Sequence, residues 1–525
     1  MPKLLPLGTS DFQALRLNNE IYVDKTDLIF QLAKGRGKIF LARPRRFGKS
    51  LLISTFESLF KSGLQNFRGL AIEDLWEDKL YPVVRLDFSK LKGYDSVEFF
   101  REAFFNYLQE SFYPLGFRYD ASRTSVLAQL DSWTQTLETS SLVILIDEYD
   151  APLTERLHDD SQFNQVRDIL SQFFAILKSN EGCLRFFFMT GITKFSNTSI
   201  FSAFNNLQDI SMNPIFGTLL GYTQEEIIEN FSEYLTSAAQ KLKVSEQDLL
   251  DQLKLHYDGF CFDSSAKTHV YCPWSVLNFL NYPELGFQNY WYKSGGQPTV
   301  LLKFLVNHAL EKPVDYAADK LIRLSDLNTA RQYDEICLDA LLTQAGYLSI
   351  SEVLKNGYAV LTYPNKEVAV SMAQLYADEL LKGRPLEHSR GPLIADVMAS
   401  GRVEDVIDVF NKTVTSIDYS RYPITDESTC RAYLQVLLIG AAMLPRVEVH
   451  NALGRSDLEV EIGTRHWVFE FKFAHRNSQV QSLLSQGLEQ LKANRYGKQS
   501  TLNELIRVAL VFSEEDRKFT AWQCV

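Results

Sequence analysis

The chain has 525 residues, room for roughly two to four domains with full cores. Its net charge of −11 argues against broad, non-specific coating of nucleic acid, though not against a local basic groove, while 46% hydrophobic and 23% charged residues are ordinary for a soluble globular protein. The six cysteines, at 183, 261, 272, 337, 430 and 524, form no C-x-x-C pair, so neither a zinc site nor a disulfide framework is suggested, and a reducing cytoplasm is expected.

The amino-terminal stretch MPKLLPLGTSDF lacks the long apolar core of a signal peptide. Apolar runs such as Leu142–Ile146 and Phe186–Met189 are too short to span a bilayer and read as buried strands, so no membrane association is expected. Over roughly the first 240 residues, short apolar runs alternate with helical patterns, as in a parallel α/β sheet. Strands are predicted at Lys38–Ala42, Val83–Phe88, Leu142–Ile146 and Arg185–Thr190, with helices around 50–61, 96–110 and 162–179. Residues 222–256 read as helical, opening on Thr223 with Glu226 three residues later, a capping-box pattern.

The first predicted strand runs into RPRRFGKSL, Arg43–Leu51. Strand, turn, G-K-S and apolar helix are the context of a phosphate-binding loop, in which helix-start N–H groups hold phosphate oxygens. Arg46, Phe47, Gly48, Lys49, Ser50 and Leu51 are the candidate nucleotide-binding residues. Lys49 is expected to reach the β- and γ-phosphates, and Ser50 to ligate Mg²⁺. The motif normally opens on a glycine where Arg43 stands. Pro44 is expected to set the turn instead, and Arg43, Arg45 and Arg46 are candidates for phosphate contact by proximity. The third strand ends in Asp147-Glu148: a carboxylate there can hold Mg²⁺, and the following glutamate can orient an attacking water. The fourth ends in MTGITKFS, where Thr190 or Thr193 is placed to sense a γ-phosphate, strand-end packing or capping being the alternative.

Residues 257–400 are less periodic, with YDGFCFD, YCPWSVLNFL and YWYKSGG, helical segments around 297–310 and 335–345, and strands expected in GYLSI and GYAVLTYPN. They read as a mainly helical connecting domain with a small β element. From residue 401, helices at 403–415 and 427–443 precede strands at 446–453, 456–462 and 466–473, then a helix at 478–493 and the strand LIRVALVFS. The expected division is 1–256, 257–400 and 401–525.

In GRSDLEVEIGTRHWVFEFKFA, period two puts Asp457, Glu459 and Glu461 on one strand face, and Val468, Glu470 and Lys472 on one face of the next. Asp457, Glu470 and Lys472 are thereby expected to converge at one edge. Two carboxylates suit Mg²⁺, which polarises a phosphodiester, and a lysine beside them can stabilise developing charge. Gln490 is expected to help orient the site, and Glu427 to cap a helix or to add a carboxylate.

With both constellations placed, the chain resembles a prokaryotic family that joins an AAA-ATPase-like domain to a PD-(D/E)XK nuclease-superfamily domain. The resemblance rests on YVDKT (22–26), RPRRFGKSL, LIDEYDAPL (145–153), GITKFSNTSIFSAFNNLQDIS (191–211), YDGFCF, PWSVLNFL, QAGYLSI, GRSDL and FEFKF. It implies an α/β architecture: a P-loop sheet with a helical lid, a helical middle region and a restriction-endonuclease-like α/β core. It carries nucleotide roles onto Lys49, Ser50, Asp147 and Glu148, and nuclease roles onto Asp457, Glu470 and Lys472. In that family R-P-R-R-F-G-K-S is the usual form. The expected activity is ATP- and Mg²⁺-dependent cleavage of DNA or RNA, with oligomerisation through the ATPase-like domain. A nucleotide-switched protein that recognises nucleic acid or protein without cutting, and a structural remnant without either activity, are the competing readings.

Overall fold

Four apolar runs build the first sheet. In the computed structural model, which describes residues 3–194, 206–291, 320–328, 337–380, 391–420, 422–443, 445–451, 454–494, 496 and 504–525, these runs are β1 (Lys38–Ala42), β2 (Val83–Asp87), β3 (Leu142–Asp147) and β4 (Leu184–Gly191). A two-residue β5 (Gln208–Asp209) completes a sheet of order β2-β3-β4-β1-β5 in which every pairing is parallel. Every residue of β3 and β4 is buried, as expected of parallel strands covered on both faces, and this is why they read as unbroken apolar runs. Helix Lys49–Ser62 covers one face, laying Phe56 against Phe186 and Phe188 of β4 at 5.1 and 4.8 Å between ring centroids. Helices Val97–Phe112, Val126–Thr134 and Asp160–Ser179 contribute to the apolar core that also contains Phe40, Val84, Ile144 and Phe187.

The described residues form two compact units, dividing between Glu367 and Val368. In the first, the stretch expected as helical over 222–256 is two helices, Gln224–Leu242 and Glu246–Tyr257. The Thr223–Glu226 capping box is present, but Lys243 turns left-handed (φ 56) and Ser245 caps a new start. With helix Pro273–Asn281 they share a core that also takes in Ile21 and Val23 of the YVDKT region. Lys25 pairs with Glu226, while Asp24 accepts from the Thr26 and Ala71 amides. A three-stranded antiparallel sheet of order β6-β8-β7 follows, made of β6 (Lys320–Arg323), β7 (Ser349–Val353) and β8 (Tyr358–Thr362). Helix Leu338–Ala345 accounts for most of the predicted 335–345, whereas 297–310, 335–336 and 195–205 lie outside the described residues.

The second unit is a sheet of order β13-β12-β11-β10-β9: β9 (Arg446–Asn451), β10 (Gly454–Ile462), β11 (Arg465–Ala474), β12 (Glu504–Ser513) and β13 (Lys518–Cys524). Only β11 and β12 run parallel, which the crossover helix Val480–Asn494 between them permits. That helix packs on Val468, Ala509 and Val511, while Phe410 and Phe519 meet Phe469 and Phe471 on the opposite face. β13 is an addition to the expected layout. The two units match the expected mixed architecture, a parallel sheet with helices followed by a mixed α/β sheet.

YDGFCF ties the helical cluster to the small sheet. Gly259 (φ 93) lets the chain pass the β8 exit, Asn365 donates to the Asp258 carbonyl at 2.7 Å, and the Cys261 amide donates to Ser349 Oγ at 2.8 Å. A Cβ on Gly259 would lie 2.0 Å from the Pro364 carbonyl oxygen. Gly259→Ala is therefore expected to cost about 2 kcal/mol or more, read as a lowered denaturant midpoint at unchanged slope.

Candidate functional site

The phosphate-loop segment joins β1 to helix Lys49–Ser62 and contains two left-handed residues, Arg46 (φ 70) and Gly48 (φ 92). Arg43, where a glycine is usual, does not face the anion site. Its buried guanidinium donates to the carbonyls of Ala42 (2.9 Å), Ser211 (2.6 Å) and Phe216 (3.1 Å) and lies 4.2 Å over the Phe262 ring. Both terminal nitrogens of Arg43 are thus committed to carbonyls, Nε is buried without a hydrogen-bond partner among the described residues, and the side chain is absent from the wall of the cavity that the loop lines. Phe47 is anchored edge-on to Phe260 and Phe262, at 4.9 and 5.2 Å.

Residues 45–52 line a cavity of about 580 Å³ together with Thr9, Tyr22, Lys25, Glu148, Leu220 and Trp274, a size suited to a nucleotide-scale ligand. Arg46, Phe47, Gly48, Lys49, Ser50 and Leu51 are all on its wall, and Arg46 stacks 4.3 Å over Trp274. Lys49 Nζ donates to the Arg43 and Pro44 carbonyls at 2.9 and 2.8 Å. Burial lowers its pKa, against the raising charges of Asp147, Glu148 and Asp150. Asp147 stands behind the wall: burial raises its pKa, while a bond from Ser50 and the charge of Lys49 oppose the rise. Ser50 and Asp147 thus offer adjacent oxygens. Glu148 is itself left-handed (φ 48) and pairs with Lys92 at 2.8 Å. Burial alone would raise it, but the Lys92 bond and charge, with the charges of Lys49 and Arg45, hold Glu148 below the usual carboxylate range.

The two strand-end threonines separate cleanly. Thr193 Oγ1 donates to Asp150 Oδ2 at 2.6 Å, and Tyr149 donates to the Thr193 carbonyl, so Thr193 holds the loop together. Among the described residues Thr190 Oγ1 is buried without a hydrogen-bond partner. Because Leu145 pairs with Phe188, alternation puts Thr190 and Asp147 on the same face, that of helix Lys49–Ser62. Asp150 was missed in the sequence. It accepts from the Ile192 and Thr193 amides, and only its place in D-E-Y-D hinted at a role. Lys92 left no sequence signal.

In the second unit, Asp457, Glu470 and Lys472 do converge. Leu458 pairs with Phe469, so Asp457 and Glu470 share a sheet face. Asp457 Oδ2 accepts from the Phe471 amide at 2.8 Å, and Lys472 Nζ donates to Glu470 Oε1 at 2.9 Å. Among the described residues Glu470 Oε2 is buried with no hydrogen-bond partner. Burial, then the charge of Asp457, pushes Glu470 from the ordinary 4.5 to about 7. Burial also raises Asp457, against the Phe471 bond and the charges of Lys472, Arg431 and Arg455. Burial opposes the charge on Lys472, but Glu470, Glu427 and Asp457 win and raise it.

Helix Glu427–Gly440 brings a third carboxylate. Its cap is Asp426, which accepts from the Thr429 amide at 2.7 Å, so Glu427 does not cap; its Oε2 lies 3.7 Å from Lys472 Nζ. Gln490 makes no hydrogen bond to Asp457, Glu470 or Lys472 among the described residues. Gly487 is the close helix residue instead, its Cβ position lying 3.6 Å from Lys472 Cγ and 3.9 Å from Glu470 Cγ. Beside this cluster, buried Glu459 bonds Ser456 (2.7 Å) and His466 (3.0 Å).

An unpartnered carboxylate oxygen next to a second carboxylate and a lysine is what a hard divalent cation would satisfy. Residues 6–201 match the family described as Predicted AAA-ATPase, and residues 430–522 match the PD-(D/E)XK nuclease superfamily. A protein of Azotobacter chroococcum mcd 1, described as an uncharacterized protein in the vnfD 5′ region, is 28% identical over 505 residues, 94% of this chain and 93% of that one. One chain therefore matches both family models, in the order that the motifs implied. No helix among the described residues is long and apolar enough to cross a membrane.

The pKa of Glu470 lies above its unfolded value, so its contribution to stability is complete below about pH 4.5 and lost as pH rises through about 7. In metal-free buffer, Glu470→Gln is expected to stabilise the second unit at pH 8 by on the order of 1–3 kcal/mol and to give no gain at pH 4.5. Denaturant melts at the two pH values check this, and an equal effect at both would refute it.

Proposed function

We propose that the chain binds and hydrolyses ATP through residues 1–256 and, through a nuclease-like part at 401–525, cleaves nucleic-acid phosphodiesters with Mg²⁺ under ATP control in the cytoplasm, 257–400 forming the connection. The observation that carries the nuclease half is Glu470 Oε2, buried and unsatisfied beside Asp457 and Lys472. A buried carboxylate oxygen costs free energy unless something answers it. The nucleotide half is supported by the cavity walled by the phosphate loop.

In this reading Lys49 exchanges the Arg43 and Pro44 carbonyls for phosphate oxygens. Glu148, kept ionised by Lys92, orients a water and accepts its proton. Ser50 and Asp147 would hold one Mg²⁺, and Asp457 and Glu470 another. Bound there, the ion supplies Lewis-acid polarisation of phosphoryl oxygens. Lys472, cationic and fixed by Glu470, steadies charge that develops on the phosphodiester. A second reading, recognition of nucleic acid or protein without cutting, is favoured by one observation. Among the described residues no group of three or more His, Cys, Asp or Glu is arranged to hold a metal ion.

The test uses the purified full chain with Mg²⁺, ATP, and DNA or RNA. Asp457→Ala and Lys472→Ala are expected to lower cleavage by at least about 100-fold while ATP affinity holds. Lys49→Ala is expected to lose ATP binding. A folded wild type that binds ATP, cuts neither nucleic acid and shows no heat on Mg²⁺ titration of the second site would select the second reading.

A further inference from the structure

PWSVLNFL and QAGYLSI take no part in the chemistry above, yet both meet the outer shoulder of the phosphate loop. That shoulder needs support. Arg46 is left-handed, a conformation that costs a non-glycine residue roughly 1–2 kcal/mol, and such residues persist where their surroundings over-determine them.

Three contacts do so. Trp291 donates its indole N–H to the Arg45 carbonyl at 3.1 Å, fixing the peptide that precedes Arg46. Trp274, on helix Pro273–Asn281, holds the Arg46 guanidinium over its ring. Gly346 leaves room for Pro44, since a Cβ there would lie 2.7 Å from Pro44 Cγ. Trp291 is not on the cavity wall, so the Arg45 carbonyl is directed to a group outside the cavity. A carbonyl turned the other way would meet a phosphate oxygen as like partial charge.

Both tryptophans are tied to one carboxyl group. Glu367, 1% exposed, bonds the Trp291 amide through Oε1 at 2.6 Å and the Ser275 hydroxyl through Oε2 at 2.7 Å. Ser275 directly follows Trp274. We propose that Glu367 is a positioning residue for the phosphate loop: by seating Trp291 and the helix that carries Trp274, it keeps the Arg45 carbonyl turned outward and Arg46 left-handed. The consequence for ligand binding rests on the nucleotide reading; the consequence for loop order does not. Burial pushes Glu367 up to about 8, so its neutral isostere glutamine is the conservative replacement.

Two measurements on the full chain test this: amide hydrogen exchange over residues 45–50 without nucleotide, and ATP affinity by calorimetry. Trp291→Phe keeps the ring and drops the N–H. It is expected to speed exchange and to weaken ATP binding by about three- to tenfold, the worth of one hydrogen bond. Glu367→Leu should do the same, and Glu367→Gln should match wild type in both. In an Arg46→Gly background, the effect of Trp291→Phe on exchange should shrink to under about twofold, because glycine holds positive φ unaided. Wild-type exchange in Trp291→Phe, or an equal change in both backgrounds, overturns the proposal. Should Glu367→Leu not fold, the Trp291/Arg46 cycle decides alone. A wild type that binds no ATP but shows the expected exchange would sink the nucleotide reading and leave the positioning role standing.

Discussion

A buried guanidinium is costly unless its charge and its donors are answered inside the protein, and Arg43 answers both terminal nitrogens, though not Nε, with three backbone carbonyls and an aromatic face. Those contacts gather the end of β1, the chain after β5 and the YDGFCF segment onto one side chain. In the usual phosphate loop a glycine supplies a tight turn through backbone freedom. Here the turn is supplied from outside: Arg43 pins its start, Pro44 restricts its φ, and aromatic rings hold Phe47 and Arg46. The loop that walls the cavity is fastened by Arg43, Phe260 and Phe262, which are not on that wall, and by Trp274, which is.

The carboxylate cluster of the second unit obeys the opposite logic. Where Arg43 turns both terminal nitrogens to backbone carbonyls, Glu470 has one oxygen bonded to Lys472 and the other, among the described residues, to nothing. Stability and chemistry diverge at such a point. The Ser456–Glu459–His466 network, with Glu459 two residues along β10 from Asp457, shows the contrasting case of a buried carboxylate with both oxygens bonded.

Much of this was legible in the sequence where the signal is local. Leu142–Ile146 reads as a strand because a strand covered on both faces is apolar throughout, and Thr223–Glu226 reads as a helix start because the cap is made within four residues. Period two brought Asp457, Glu470 and Lys472 to one edge, and the resemblance carried by GRSDL and FEFKF gave them their expected roles. Non-local or degenerate signals failed. Two of the three carbonyls that claim Arg43 lie 168 and 173 residues further on, so nothing near RPRR betrays its direction. β13 was missed because an edge strand with one buried residue, Phe519, carries almost no apolar pattern. Asp426 and Glu427 are adjacent acids at one helix start, and only the fold decides which caps and which faces Lys472. Lys243 breaks a helix without glycine or proline, and the cue lies one step later in Ser245 and Asp248.

The fastening of the loop has a thermodynamic corollary. A glycine-rich loop is mobile when empty and loses conformational freedom when it closes on an anion, so part of the binding enthalpy is offset by entropy. A loop held by Arg43, Trp291 and Trp274 has lost that freedom already, at the moment the chain folds. Its ordering is charged to the stability of the protein rather than to the affinity of whatever enters the cavity.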